Sequence, residues 1–129
     1  MSSEILHEAP ELLSDDTKNM HRAIASLREE LDSVDWYQQR ADACTDDELR
    51  AVLVHNKNEE IEHAMMVLEW IRRHSNVLDT NAKTYLYSSG PITAVERRTT
   101  GGAEGLGGGD EARAEGSQSL GIGSLKAGA

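Results

Sequence analysis

Glycine is absent from the first 89 residues, and ten of the chain's eleven glycines lie between Gly101 and Gly128. Composition therefore breaks near Thr99, and the glycine-rich stretch beyond it lacks the apolar content of a packed core. Cysteine occurs once, as Cys44, which excludes an internal disulfide framework and fits a reducing, cytoplasmic setting. Long apolar runs are missing too. The longest, Ala64 to Leu68, is far too short to span a bilayer. Glu4, Glu8 and Glu11 stand where a signal peptide would carry basic and then apolar residues.

Positive charge is also scarce, with 13 basic against 23 acidic residues and a formal net charge of −10. That balance argues against nucleic acid or an anionic membrane as partner. From Arg97 onward there are four basic and four acidic residues, so the whole excess belongs to residues 1–96. An acidic surface attracts cations, although it also serves plain solubility.

What is present within the acidic part is helical periodicity. A first helix can start at Ser14, with Asp15 and Asp16 well placed in its opening turn. Met20, Ile24, Leu27, Leu31 and Val34 follow at steps of four and three, and the pattern continues through Gln38 to Ala41. Thr45-Asp46-Asp47-Glu48 reads as a capping box that opens a second helix. Its pattern runs Leu49, Leu53, Asn56, Glu60, His63, Val67, Trp70. Each helix would be about 43 Å long, and so short a link makes them antiparallel neighbours. A third, short helix is expected from about Thr80 to Tyr87, closed by Ser88-Ser89-Gly90-Pro91. No strand pattern emerges. Two long helices and a fragment cannot cover their own apolar stripes, so an obligate oligomer is expected.

The seam of the second helix is apolar at both ends and polar in the middle, where Asn56, Glu60 and His63 sit. On the first helix, Ala23, Leu27, Glu30, Val34, Tyr37 and Ala41 form a matching seam with Glu30 at its centre. An inward carboxylate without a partner would cost several kcal/mol. Glu60 and His63, three residues apart on one face, can instead grip a metal ion. Glu-x-x-His is common by chance, and its weight here comes from Glu30 in the facing seam. Di-iron helical bundles use the motif twice, with one further Glu from each of two more helices. One hairpin holds half of that set, and two copies would supply four Glu and two His. Carboxylate and imidazole donors suit Fe(II), Mn(II) or Zn(II). Glu29, Asp32, Glu59 and Glu62 point off the seams, and His55 with Glu59 forms an ordinary surface spacing. Trp36 and Trp70 read as core or interface anchors.

Several segments then resemble one family, the encapsulated ferritins. They are His21-Arg22-Ala23-Ile24, Glu29-Glu30-Leu31, Val34-Asp35-Trp36-Tyr37, His55-Asn56 and Glu59-Glu60-Ile61-Glu62-His63-Ala64. Leu68-Glu69-Trp70-Ile71-Arg72-Arg73 and Gly90-Pro91-Ile92-Thr93-Ala94 belong with them, and the likeness covers roughly residues 15–95. The resemblance implies an all-α fold: two long antiparallel helices plus a short one, with a ferritin-like four-helix bundle completed by dimerisation. It implies a ferroxidase with a di-iron centre between subunits, in a ring of five dimers. By position, the ligands would be Glu30, Glu60 and His63, with Tyr37 close to the metal. Glu29, Asp32 and Trp36 would form a second site where iron arrives, one that also admits Ca or another divalent cation. Asp32 is shorter than the Glu often found there.

The tail Leu120-Gly121-Ile122-Gly123-Ser124-Leu125-Lys126 resembles the peptides that dock cargo inside encapsulin shells. On this reading, residues 1–95 are the hairpin domain, 96–119 a flexible linker and 120–129 a targeting peptide. The linker would reach roughly 25–30 Å. The implied location is cytoplasmic, within an encapsulin nanocompartment, with no nucleic acid or membrane partner. Two other functions stay open. One is a non-catalytic scaffold or cargo protein whose metal staples subunits together. The other is a di-metal oxygenase or peroxidase, which would need an apolar substrate pocket.

Overall fold

The computed structural model describes residues 5–105. Among them there is no strand, and the elements in chain order are one 3-10 turn and four α-helices. The turn is Pro10–Leu12, and the helices are α1 (Asp15–Ala43), α2 (Asp47–Arg73), α3 (Asn76–Tyr85) and α4 (Ile92–Gly105). The chain divides after Asp79 into two compact units.

In the first unit, α1 begins where its capping residue dictates. The Ser14 hydroxyl accepts from the Thr17 amide at 3.1 Å, satisfying one of the donors a helix start leaves open. The cap of α2 falls one residue later than the sequence pattern suggests. Asp46, not Thr45, accepts from the Leu49 amide, at 2.8 Å. A carboxylate at that position also meets the positive end of the helix, which a threonine hydroxyl cannot do. Between the helices, Arg50 reaches back and donates through Nε to the carbonyls of Ala41 (3.2 Å) and Cys44 (3.1 Å). It thereby supplies donors to the last turn of α1.

Ala23, Leu27, Glu30, Val34 and Tyr37 are half-buried and Ala41 is buried, as a seam facing α2 requires. On α2, Leu53, Asn56, Glu60, His63, Val67 and Trp70 are half-buried, while Leu49 at the helix start is 51% exposed. Lys57 Nζ donates to Gln38 Oε1 at 2.7 Å and ties the helices together beside the seam. Several other apolar positions are open to solvent. Ile24, Leu31, Ile61, Met65 and Met66 are all exposed, whereas the buried apolar residues of this unit are Ala41, Ala64 and Ile71. Fully burying one such large side chain contributes about 1.5–3 kcal/mol, so part of the hairpin's apolar stabilisation is not realised within one chain.

The end of α2 is held by ion pairs. Arg72 lies 2.7 Å from Glu69 and 2.6 Å from Asp79, and Arg73 is 2.7 Å from Glu69. Next to this knot the Ser75 hydroxyl accepts from the Leu78 amide at 3.1 Å. That cap starts α3 at Asn76, four residues before the start read from the sequence.

In the second unit, α3 stops at Tyr85, and Tyr87 takes a left-handed backbone (φ 62°) with its ring fully exposed. A bulky residue there is strained, whereas Gly90 (φ 81°) adopts the same region freely. Pro91 then precedes α4, and its carbonyl accepts from the Ala94 amide at 2.9 Å. The stretch read as a flexible linker from residue 96 is helical as far as Gly105. Ile92 to Arg98 propagate a helix already started, and the hydroxyls of Thr99 and Thr100 donate to the carbonyls of Val95 and Glu96, each at 3.0 Å. The rest of that linker and the peptide 120–129 lie outside the described residues.

Candidate metal centre

Glu30 lies 13 residues before the end of α1, and Glu60 lies 13 residues after the start of α2. In an antiparallel hairpin, equal distances of about 20 Å from the turn bring the two carboxylates opposite one another. His63 follows Glu60 by three residues and shares its face. Hairpin symmetry and helical pitch thus assemble three donors from two helices.

His63 Nδ1 is 3.5 Å from Glu60 Oε2 and 3.8 Å from Glu30 Oε2. One donor atom from each of the three residues lies within 4.8 Å of the other two. These gaps are too wide for strong hydrogen bonds. They fit donors sharing one ion, which at bond lengths of about 2.1 Å stand roughly 3–4 Å apart. Glu30 and Glu60 side chains keep 26% and 24% of their exposure and His63 keeps 45%, so the site is open on one side.

The carboxyl of Glu30 is pushed above its ordinary range, first by a hydrogen bond with Glu60, then by partial burial and by the Glu60 charge. Glu29 adds to the rise and His63 opposes it. A neighbouring carboxylate favours the protonated form of Glu30 when no cation balances the pair. A divalent ion entering the cluster would favour its carboxylate form instead.

The cluster is the single such grouping of His, Cys, Asp and Glu among the described residues. Tyr37 is half-buried on the same stripe, with the Arg40 guanidinium 5.4 Å from its ring centroid. Glu29 and Asp32 are exposed and Trp36 is 51% exposed. His55 and Glu59 form an exposed pair at 3.6 Å. Trp70 stacks on His74, with centroids 3.8 Å apart and planes 16° from parallel. The sequence reading missed Arg50, Lys57 and Gln38 as fasteners of the hairpin; the only signal for them was long polar side chains near the turn and seam. No helix among the described residues is long and apolar enough to cross a membrane.

An all-α hairpin with a carboxylate–histidine cluster at mid-length is the architecture of a ferritin-like metal-binding protein. The comparisons with known proteins are specific. The profile of the EncFtn-like family matches residues 5–89, and this chain belongs to that family, the encapsulated ferritins. It is 55% identical over 128 residues to the "Encapsulated ferritin-like protein" of Rhodospirillum rubrum, spanning 97% of this chain and 90% of the relative. It is 43% identical over 102 residues to a "Ferritin-like protein" of Thermotoga maritima, spanning 79% of this chain and 90% of the relative. Among solved structures, protein ne0167 of Nitrosomonas europaea superposes with a TM-score of 0.66 at 55% identity, covering 67% of this chain and 96% of that one.

Proposed function

We propose that the chain is a ferroxidase that oxidises Fe(II) to Fe(III) at a di-iron centre shared by two copies. The observation that carries this reading is the cluster of Glu30, Glu60 and His63, half of a four-Glu, two-His donor set. Iron is the substrate. Glu30 and Glu60 would bind it as carboxylates, and His63 as a neutral nitrogen donor. Two-fold pairing of hairpins would complete the set and cover Ile24, Leu31 and Ile61, which one chain leaves exposed. Tyr37 would lie beside the metals. Glu29, Asp32 and Trp36 would form an outer site that receives Fe(II) or another divalent cation.

Five such dimers would close a ring, and the ring would work inside an encapsulin shell. The R. rubrum relative is named as encapsulated, which supports that placement. Residues 1–95 would form the hairpin domain, and the chain beyond α4 would tether residues 120–129 to the shell wall. With no cage of its own, the protein would pass Fe(III) to the shell for storage.

The test adds Fe(II) aerobically to wild type, Glu60→Ala and His63→Ala. Loss of oxidation in both variants is expected, and equal rates in all three would sink the proposal. Full assembly on Zn(II) with no Fe(II) turnover would favour the metal-stapled scaffold instead.

A further inference from the structure

Taking Glu30, Glu60 and His63 as the metal centre proposed above, we infer that Asn56 is a positioning residue whose side-chain amide donates to Glu60 once that carboxylate holds an ion. Asn56 stands on the seam of α2 between Leu53 and Glu60 and is half-buried. It lies nine residues into α2, and Val34 lies nine residues before the end of α1. The residue facing it across the hairpin therefore offers no polar group. Among the described residues the Asn56 side chain makes no hydrogen bond. A carboxamide partly withdrawn from water without a partner is a burden that a leucine at the same place would not carry.

Two carboxylates of α2 stand within a turn of this amide. Glu59, three residues on, is exposed and already lies 3.6 Å from His55. Glu60, four residues on, shares the seam face with Asn56. Helical side chains lean toward the N-terminus of their helix, so the longer Glu60 extends back over the shorter Asn56. Amide and carboxylate at this spacing meet elsewhere in the hairpin, where Gln38 donates to Asp42 and Gln39 to Asp35, each at 2.9 Å. In the metal-free chain Glu60 has a hydrogen bond with Glu30 instead. That bond needs a proton on one of the two carboxyls, and a divalent ion favours the form that lacks it. Metal binding therefore leaves Glu60 an acceptor oxygen to satisfy, and Asn56 is the uncommitted donor one turn away. Held by one oxygen, the carboxylate presents the other to the ion in a fixed orientation.

The experiment uses the full chain as wild type, Asn56→Leu, Asn56→Gln and His63→Ala. It measures Zn(II) affinity by chelator competition, and urea stability and light-scattering mass without metal. Zn(II) reads the site with no iron turnover. Asn56→Leu should leave the metal-free fold at least as stable as wild type and its mass unchanged. Its Zn(II) affinity should nevertheless fall about tenfold or more, the usual loss when the outer partner of a ligand is removed. Asn56→Gln keeps the N–H at the spacing of Gln38 and Asp42, and should bind nearly as tightly as wild type. Equal affinity in wild type and Asn56→Leu, beside a weakened His63→Ala, overturns the role of Asn56 and leaves the centre standing. A metal-free Asn56→Leu that is less stable or changes mass also overturns it, because the amide then serves packing or a second copy. A loss in Asn56→Gln as large as in Asn56→Leu rejects the N–H donor. Wild type and His63→Ala binding Zn(II) alike would remove the metal centre itself, and the role of Asn56 with it.

Discussion

His63 Nδ1 sits 3.8 Å from Glu30 Oε2, across the hairpin and contributed by a different helix. Neither residue can hold that position unless α1 and α2 keep their register, so the cluster reports on the fold as directly as any core contact. The geometry of the cluster and the integrity of the hairpin are therefore linked properties.

The Glu30 carboxyl, facing Glu60, gives the metal-free fold a pH dependence. The Glu30 carboxyl is raised above its ordinary 4.5, so the metal-free fold binds more protons than the unfolded chain just above that pH. Its contribution is fully present below pH 4.5 and is lost as pH rises through the raised value. Glu30→Gln should remove that dependence and stabilise the metal-free protein at neutral pH by about 0.5–2 kcal/mol, the usual gain when a functional charge is neutralised. The same change should abolish tight metal binding. Urea denaturation across pH, with and without metal, reads both effects, and an unchanged stability profile would contradict the raised Glu30 carboxyl.

Metal should also stabilise the fold by mass action. At a hundredfold excess over its dissociation constant, a divalent ion is expected to add about 2.7 kcal/mol. Chelation should lower the melting temperature of wild type and leave His63→Ala unchanged. Calorimetry with Zn(II) or Mn(II) measures this without iron turnover.

Ile61→Glu places a charge on the uncovered apolar surface. If that surface joins two copies, light scattering should show the dimer mass halved, with metal uptake lost in the same sample while helicity by circular dichroism persists. A variant that stays dimeric would point to a different interface.

The knot at the end of α2 has its own pH signature. Hydrogen bonds from Arg72 and then Arg73 hold the Glu69 carboxyl at about 2, below its ordinary 4.5. Its contribution is present above pH 4.5 and fades as pH falls toward 2. Protection of the Leu78 amide against hydrogen exchange, relative to its intrinsic rate at each pH, should fall through that window. Arg72→Gln should make exchange fast at neutral pH and flatten the acid dependence.

The cap of α2 can be checked with two single changes. Asp46→Ala is expected to lose about 1 kcal/mol, and Thr45→Ala to stay within about 0.5 kcal/mol of wild type. The opposite ranking would restore the threonine as the cap.

Much of this was legible in the sequence for physical reasons. The four-three spacing of Ala23, Leu27, Glu30, Val34, Tyr37 and Ala41 gave the inward seam, because no glycine or proline interrupts the helix. Glu30, Glu60 and His63 were legible together because each stands at a seam position that otherwise holds apolar residues. The start of α3 was not, since Ser75 lies so close to the end of α2 that its capping role shows only once the chain turns. The first part of α4 was missed because composition is averaged over a window, whereas a helix begun at Pro91 extends residue by residue through Thr99 and Thr100. Uncovered side chains such as Leu31 and Ile61 were read as apolar stripes, but a sequence does not say which stripe faces inward and which awaits a second molecule.

The equal spacing of Glu30 and Glu60 from the turn constrains how such a chain can change in length. Deleting one residue between Glu30 and the turn would shift that carboxylate by about 1.5 Å along the axis and swing it by about 100° around it. A matching deletion between the turn and Glu60 would restore the axial match but leave both carboxylates swung off their seams, so only changes by whole turns in both arms preserve the cluster. Beyond the cluster, toward the start of α1 and the end of α2, no such pairing rule applies. Insertions and deletions should therefore accumulate at the open end of the hairpin, while the closed end is inherited as a unit of fixed length.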